Sequence, residues 1–280
     1  FTQRGHFTGL QQLRFLFPLG DSVPDDLRHL LKNASLRERV ERLVTRQERL
    51  VWIGPTSPFQ ADQMAAWDLP ELVEALNEWE YKPGWRMPEP EGLARELATF
   101  ASQDAKRVSA QAIALENLQR PTYVRGIVQG LADAVKEGRA ISWQPVLHLC
   151  KWSVEQERGD EPEGTGLEEF DRTWEGARKQ IAWLLRRGTE KSDVEIPFDL
   201  RDDVWAILRE LLHDPNPTEE EERSRAEHTD PSTIAINVVR GVALGATFSY
   251  TLWVARHDPQ EVRTWVEFDL DDVRESFEER

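Results

Sequence analysis

Cysteine is almost missing from this 280-residue chain: Cys150 stands alone, which excludes an intrachain disulfide and a zinc site built on cysteines. A single free thiol fits a reducing compartment, so a cytoplasmic location is expected. Positive charge is also short. Lys and Arg number 35 against 51 Asp and Glu, and the net charge of -16 weighs against general binding to nucleic acid or to an anionic membrane. Catalytic signatures are lacking as well, with no HExxH, CxxC, Walker A, GxSxG or GxGxxG pattern. The six histidines do not gather into a ligand set, and His148 and Cys150, two apart on a predicted helix, point to different faces. Cys150 reads as a small buried hydrophobe. No catalytic residue, cofactor or metal is therefore expected. Strand patterns are missing too: FSYTLWV is β-rich in composition but lies inside a longer apolar run without turn signals around it.

That apolar run, Asp230–His257, is the longest stretch with few charges. Asp230 or Ser232 can cap a helix there, Pro231 suits its first turn and Pro259 stops it after Asp258. A single helix over 231–257 is expected, with Thr233, Asn237, Arg240, Leu244, Thr247 and Thr251 on one narrow stripe at 4-3-4-3-4 spacing and apolar residues elsewhere. Such a helix is either the buried centre of a domain or a membrane span. Arg240 and Asn237 in mid-segment argue for the buried centre, since a charge in the bilayer costs at least about 2.5 kcal/mol. In that setting Gly241 and Gly245 let a neighbouring helix approach closely.

The rest of the chain reads as amphipathic helices joined by polar loops. Ser35 and Glu38 form a capping box for a helix to about Leu50, broken by the glycine and prolines of WIGPTSPF at Trp52–Phe59. Asp68 caps a second helix to about Glu80, with Pro70 in its first turn and Glu71 three residues after the cap. The proline-rich connector at Tyr81–Gly92 suggests a boundary between an N-terminal helical subdomain, 1–82, and a helical array, 83–280. Helices are expected over 91–103, 104–118, 121–137, 142–157, 167–188, 197–213, 231–257 and 261–279. Short connections such as Glu137–Arg139 make successive helices antiparallel, giving hairpins 91/104, 121/142, 167/197 and 231/261. The fold class is all-α. Irregular stacked helical hairpins, a HEAT-like α-solenoid, come first, although the hairpin starts are unevenly spaced and share no residue pattern. The alternative is a globular helical domain around a central helix at 231–257.

Three sets of residues stand out as candidate sites. Asn237 and Arg240 form a polar stripe that either holds an anionic ligand or ties the central helix to an acidic neighbour, because a buried Arg240 needs a partner. Arg39, Arg42, Arg46 and Arg49 make a basic face, diluted by Glu38, Glu41 and Glu48, so a solvated surface is favoured over nucleic-acid contact. Of the eleven tryptophans, Trp143, Trp152, Trp174, Trp183, Trp205, Trp253 and Trp265 fall in predicted helices and read as inter-helix packing. Trp52, Trp67 and Trp85 lie in or beside loops and are the aromatic candidates for partner contact.

The segments PTYVRGIVQGLADAVKEGRAISWQPVLHLCKWSVEQ (Pro121–Gln156) and DPSTIAINVVRGVALGATFSYTLWVARH (Asp230–His257) resemble helical stretches of very long bacterial proteins, some of them NTPase-type antiphage defence proteins. The resemblance implies a helical-repeat region that senses a target or holds subunits while another domain does the chemistry. It carries over no functional residue. The opening FTQRGHF reads as a cut inside a longer chain, and no secretory leader pattern is seen there. The expectation is a non-enzymatic scaffold or sensor segment whose partners are proteins or other domains of a longer chain, with no membrane partner. The alternative is an all-α ligand-binding or enzymatic domain with a polar pocket at Asn237 and Arg240.

Overall fold

Prolines and capping side chains set where the helices begin. In the computed structural model, which describes residues 56–82, 84, 87–157, 173–218, 220, 223 and 230–261, Pro90, Pro121 and Pro231 each occupy a first helical turn. The described residues belong to one compact unit, Pro55–Arg280. Their regular elements are all helical: α1 (Ala61–Ala65), α2 (Leu69–Glu78), α3 (Pro90–Gln103), α4 (Ala105–Ala110), α5 (Pro121–Lys136), α6 (Trp143–Glu155), α7 (Glu175–Gly188), α8 (Arg201–Leu212), α9 (Pro231–Asn237) and α10 (Val239–His257), with 3-10 turns at Ala112–Asn117 and Phe198–Leu200. The chain is all-α, and extended pairing among the described residues is limited to a bridge between Thr56 and Pro88.

Asp68 caps α2 as its sequence predicts, with its carboxylate 2.8 Å from the Glu71 amide and the Glu71 carboxylate returning to the Asp68 amide at 3.2 Å. The α5–α6 turn also follows its sequence. Gly138 takes φ 75°, and the amides of Gly138 and Arg139 close back on the carbonyls of Val135 and Ala134. The expected helix over 104–118 is instead two pieces, because Gln111 leaves helical dihedrals. In the tighter 3-10 turn that follows, residues three apart eclipse, which keeps Ala112, Leu115 and Leu118 together in the core. The short helix α1 has no counterpart among the sequence expectations.

The helices stack in two rows. One runs α3, α5, α7, α10; the other runs from the 112–117 turn to α6 and α8, and α8 also touches α10. Successive hairpins supply one element to each row: α3 with α4 and its 3-10 turn, α5 with α6, α7 with α8. α1 and α2 pack on α3 and the 112–117 turn, and hydrogen bonds fasten them: Arg107 donates to the carbonyls of Trp67 and Ala65, and the Asn77 side chain bonds the backbone of Asn117 and Gln119. Two glycines of α5 lie close against the backbone of α3. A Cβ built on Gly126 would sit 2.4 Å from the Ala94 carbonyl oxygen, and one on Gly130 would sit 2.2 Å from that of Ala98. Among the described residues, the GxxxG with both glycines tightly packed is therefore Gly126–Gly130.

The segment expected as one buried central helix departs from that reading in two ways. It breaks at Val238, which is extended at φ -114° and ψ 151°, so α9 and α10 are separate helices. And among the described residues α10 sits at the end of its row, covered by α7 and α8 on one side while Leu244, Phe248 and Leu252 face outward. No described helix is long and apolar enough to cross a membrane.

Candidate functional site

The break at Val238 gives α10 its own N-terminus, whose free amides need acceptors. Asn216 supplies two of them. Its side-chain oxygen accepts from the Val239 amide at 2.9 Å and its carbonyl from the Arg240 amide at 3.2 Å. Asn216 is itself held by Asp214, whose carboxylate accepts the Asn216 amide at 2.8 Å and the Arg178 guanidinium at 2.9 Å. Arg178 also donates to the carbonyls of Gln156 and Val154, at 2.7 and 3.2 Å. All three side chains are at least nine-tenths buried. This bracket joins the end of α6, the first turns of α7, the segment after α8 and the start of α10. Gly241 completes the corner, since a Cβ there would lie 2.1 Å from the Ala235 carbonyl oxygen.

The break also parts the two residues of the polar stripe. The Arg240 guanidinium donates to the Pro217 carbonyl at 2.6 Å. Asn237, on the other side of Val238, is exposed, and its amide donates to the Thr233 carbonyl. Its own carbonyl accepts from Lys179 at 3.2 Å, at the rim of an open groove of about 690 Å³ among α3, α5, α7 and α9. Five of the six charged side chains lining that groove are engaged with one another: Glu91 pairs with Arg125 and, at 3.7 Å, with Arg95, and Glu175 pairs with Lys179 at 3.3 Å. Arg240 is not among the groove's lining residues.

Of the loop aromatics, Trp67 packs edge-on to Phe59 at 5.2 Å and rests against the core, with its carbonyl bound by Arg107. Trp52, Trp85, Trp265 and the four arginines Arg39, Arg42, Arg46 and Arg49 lie outside the described residues. Trp143, Trp174 and Trp253 are buried and Trp152 and Trp183 partly so, as packing residues should be. Trp205 differs: it is 41% exposed while stacking on Tyr250 at 5.7 Å.

The most distinctive surface is the outer face of α10. Leu244, Phe248 and Leu252 are 65%, 66% and 49% exposed, each one turn from the next. Between Arg240 and Arg256 the sequence has no charged residue, in a chain that is 31% charged. Even the hydroxyls are committed: Thr247, Ser249 and Thr251 donate back to the carbonyls of Ala243, Gly245 and Thr247. The face offers apolar surface without free hydroxyl donors, which suits another protein surface better than a polar ligand.

No family model, curated protein or solved structure matches the chain.

Among the described residues no three His, Cys, Asp or Glu side chains gather where a metal ion would sit. Cys150 is fully buried, and burial pushes its thiol from 9.0 up to about 12. A disulfide reagent at pH 8 should leave the folded protein untouched and label it fully in urea; labelling of the native chain would contradict this burial. The sign for stability follows. The unfolded thiol ionises above about pH 9 and the folded one does not, so this contribution is intact below pH 9 and falls away as pH rises toward 12. Tyr250 acts in the same sense, pushed up to about 12 by burial first and then by Glu261 and Asp202.

The Arg178 bracket was not anticipated from the sequence. Its signal was present: Arg178 falls on the apolar face of α7 with Ile181, Ala182 and Leu185, a position where a solvated charge does not belong.

Proposed function

We propose that this chain is a non-enzymatic helical scaffold or sensor segment of a larger bacterial protein, making protein–protein contacts through the outer face of α10. One observation carries the reading: an uncharged face with three large exposed apolar side chains on a chain otherwise dense in charge. The resemblance of Pro121–Gln156 and Asp230–His257 to helical regions of long bacterial proteins, some of them in antiphage defence, supports the same role, with any chemistry carried by another domain. A cytoplasmic setting is part of the same proposal, supported by the single buried thiol. The ligand-site alternative has less behind it, because five of the groove's six charged side chains pair with one another and Arg240 binds the Pro217 carbonyl.

The test compares wild type with Phe248→Asp as bait for proteins of the native host. Phe248 is two-thirds exposed, so the variant should melt within about 0.5 kcal/mol of wild type. Specific partners should be lost from it. Recovery of the same proteins by both baits would remove α10 as the contact surface and the proposal with it.

A further inference from the structure

We infer that the outer face of α10 pairs with the same face of a second copy of this chain, the two helices antiparallel about a two-fold axis at Phe248. This rests on the reading of α10 as a contact surface and goes further by naming the occupant.

The position of α10 comes first. Among the described residues, each inner helix of its row has a neighbour on two sides, whereas α10 has α7 and α8 on one side and α9 at its N-terminal end. End helices of stacked arrays ordinarily carry a polar outer face. α10 instead presents Leu244, Phe248 and Leu252 along a single i, i+4 ridge, the geometry by which one helix packs on another.

The sequence of the ridge identifies the partner. A two-fold contact requires that residues equally far from the axis face one another and fit. Counted outward from Phe248 along the surface of α10, Thr247 is matched by Ser249, Leu244 by Leu252, Gly241 by Ala255 and Arg240 by Arg256, while Gly245 faces the larger Thr251. Side-chain size and polarity thus mirror one another about Phe248 at four of these five surface pairs. Phe248 would stack on its counterpart, and each Leu244 would meet the other copy's Leu252. The like charges at the ends are held by their own chain: Arg240 donates to the Pro217 carbonyl, and Arg256 donates to the Thr189 carbonyl and to Glu195.

The size of the contact sets its strength. Three side chains half to two-thirds open provide roughly 300 Å² per copy, below the ~800 Å² per partner of a standard stable interface. Two chains of net charge -16 also repel. The dimer is therefore weak, reversible and stronger in salt, which screens the repulsion and leaves the apolar contact intact.

Sedimentation equilibrium of the full chain from low to high micromolar concentration, at low and moderate salt, reads this directly. A monomer–dimer equilibrium that tightens with salt is expected, and Phe248→Asp should lower the association constant at least about tenfold. Leu244→Glu and Leu252→Lys should each be monomeric alone and should associate when mixed, since the two-fold brings position 244 of one copy against position 252 of the other. A wild type that stays monomeric throughout, a dimer that persists in Phe248→Asp, or charge variants that fail to associate when mixed while the wild type dimerises would each overturn the inference. If the wild type is monomeric but Phe248→Asp still loses host proteins in the pull-down, the contact surface stands and the second copy as its occupant is wrong.

Discussion

Replacing Asp214 with Ala is expected to cost about 3–5 kcal/mol, read as a lowered urea midpoint, because it removes one member of a buried ion pair and strands the other. Arg178 is 7% exposed and cannot turn to water, and the Asn216 amide would lose its acceptor at the same time. The comparison that isolates the pair is a double-mutant cycle built from Arg178→Met, Asp214→Leu and the two together. Arg178→Met alone leaves Asp214 buried without a counter-charge and should be similarly damaging. Arg178→Met with Asp214→Leu removes both charges and should recover a large part of the loss, since well-packed apolar replacements of buried pairs are often neutral. A loss under about 1 kcal/mol for Asp214→Ala, or strict additivity in the cycle, would show that the two side chains are not coupled as their 2.9 Å contact implies.

The second large effect concerns a glycine. Gly130→Ala should destabilise by about 2–3 kcal/mol although Ala is the better helix former by ~1 kcal/mol. The added methyl would meet the Ala98 carbonyl oxygen at 2.2 Å and the Ala101 methyl at 2.8 Å, and neither can turn aside as a flexible side chain would. α3 and α5 would have to separate, opening gaps along the most extensive helix contact in the row. Gly245 is the internal control. Its nearest neighbour across the gap is the Arg186 guanidinium at 3.8 Å, so Gly245→Ala should be neutral or stabilising by up to about 1 kcal/mol. Thermal unfolding of the two variants side by side decides the matter, and equal melting temperatures would exclude a closely packed α3–α5 crossing.

The contrast between those glycines shows what the sequence made legible. Local chemistry was readable: the Asp68 cap, the helix starts near 91 and 121 and the turn at Glu137–Arg139 all act over a few residues. Long-range decisions were not. Gly126–Gly130 and Gly241–Gly245 share one spacing, yet both glycines of the first pair are tight against Ala94 and Ala98, while in the second only Gly241 is tight, against Ala235. Likewise the run from Pro231 to His257 has no glycine or proline at 238, and the break there is stabilised by Asn216, an acceptor more than twenty residues earlier. Outer and inner faces of α10 are equally apolar in composition, so periodicity had no contrast from which to read that Leu244 and Phe248 face outward while Trp253 faces in. That same lack of contrast is why Asn237 and Arg240 were read as one site.

The bracket around Arg178 also bears on how long the folded state lasts. Its attachment points run from Val154 to Arg240, so it closes only when α6, α7, the segment after α8 and α10 have all arrived. The hairpins themselves close over short loops and can form early at little entropic cost. An interaction that joins distant segments late in assembly leaves the rate of folding nearly alone and acts on the rate of unfolding. Arg178, Asp214 and Asn216 thus serve as a kinetic clasp, which slows the release of α10 from the rows it completes.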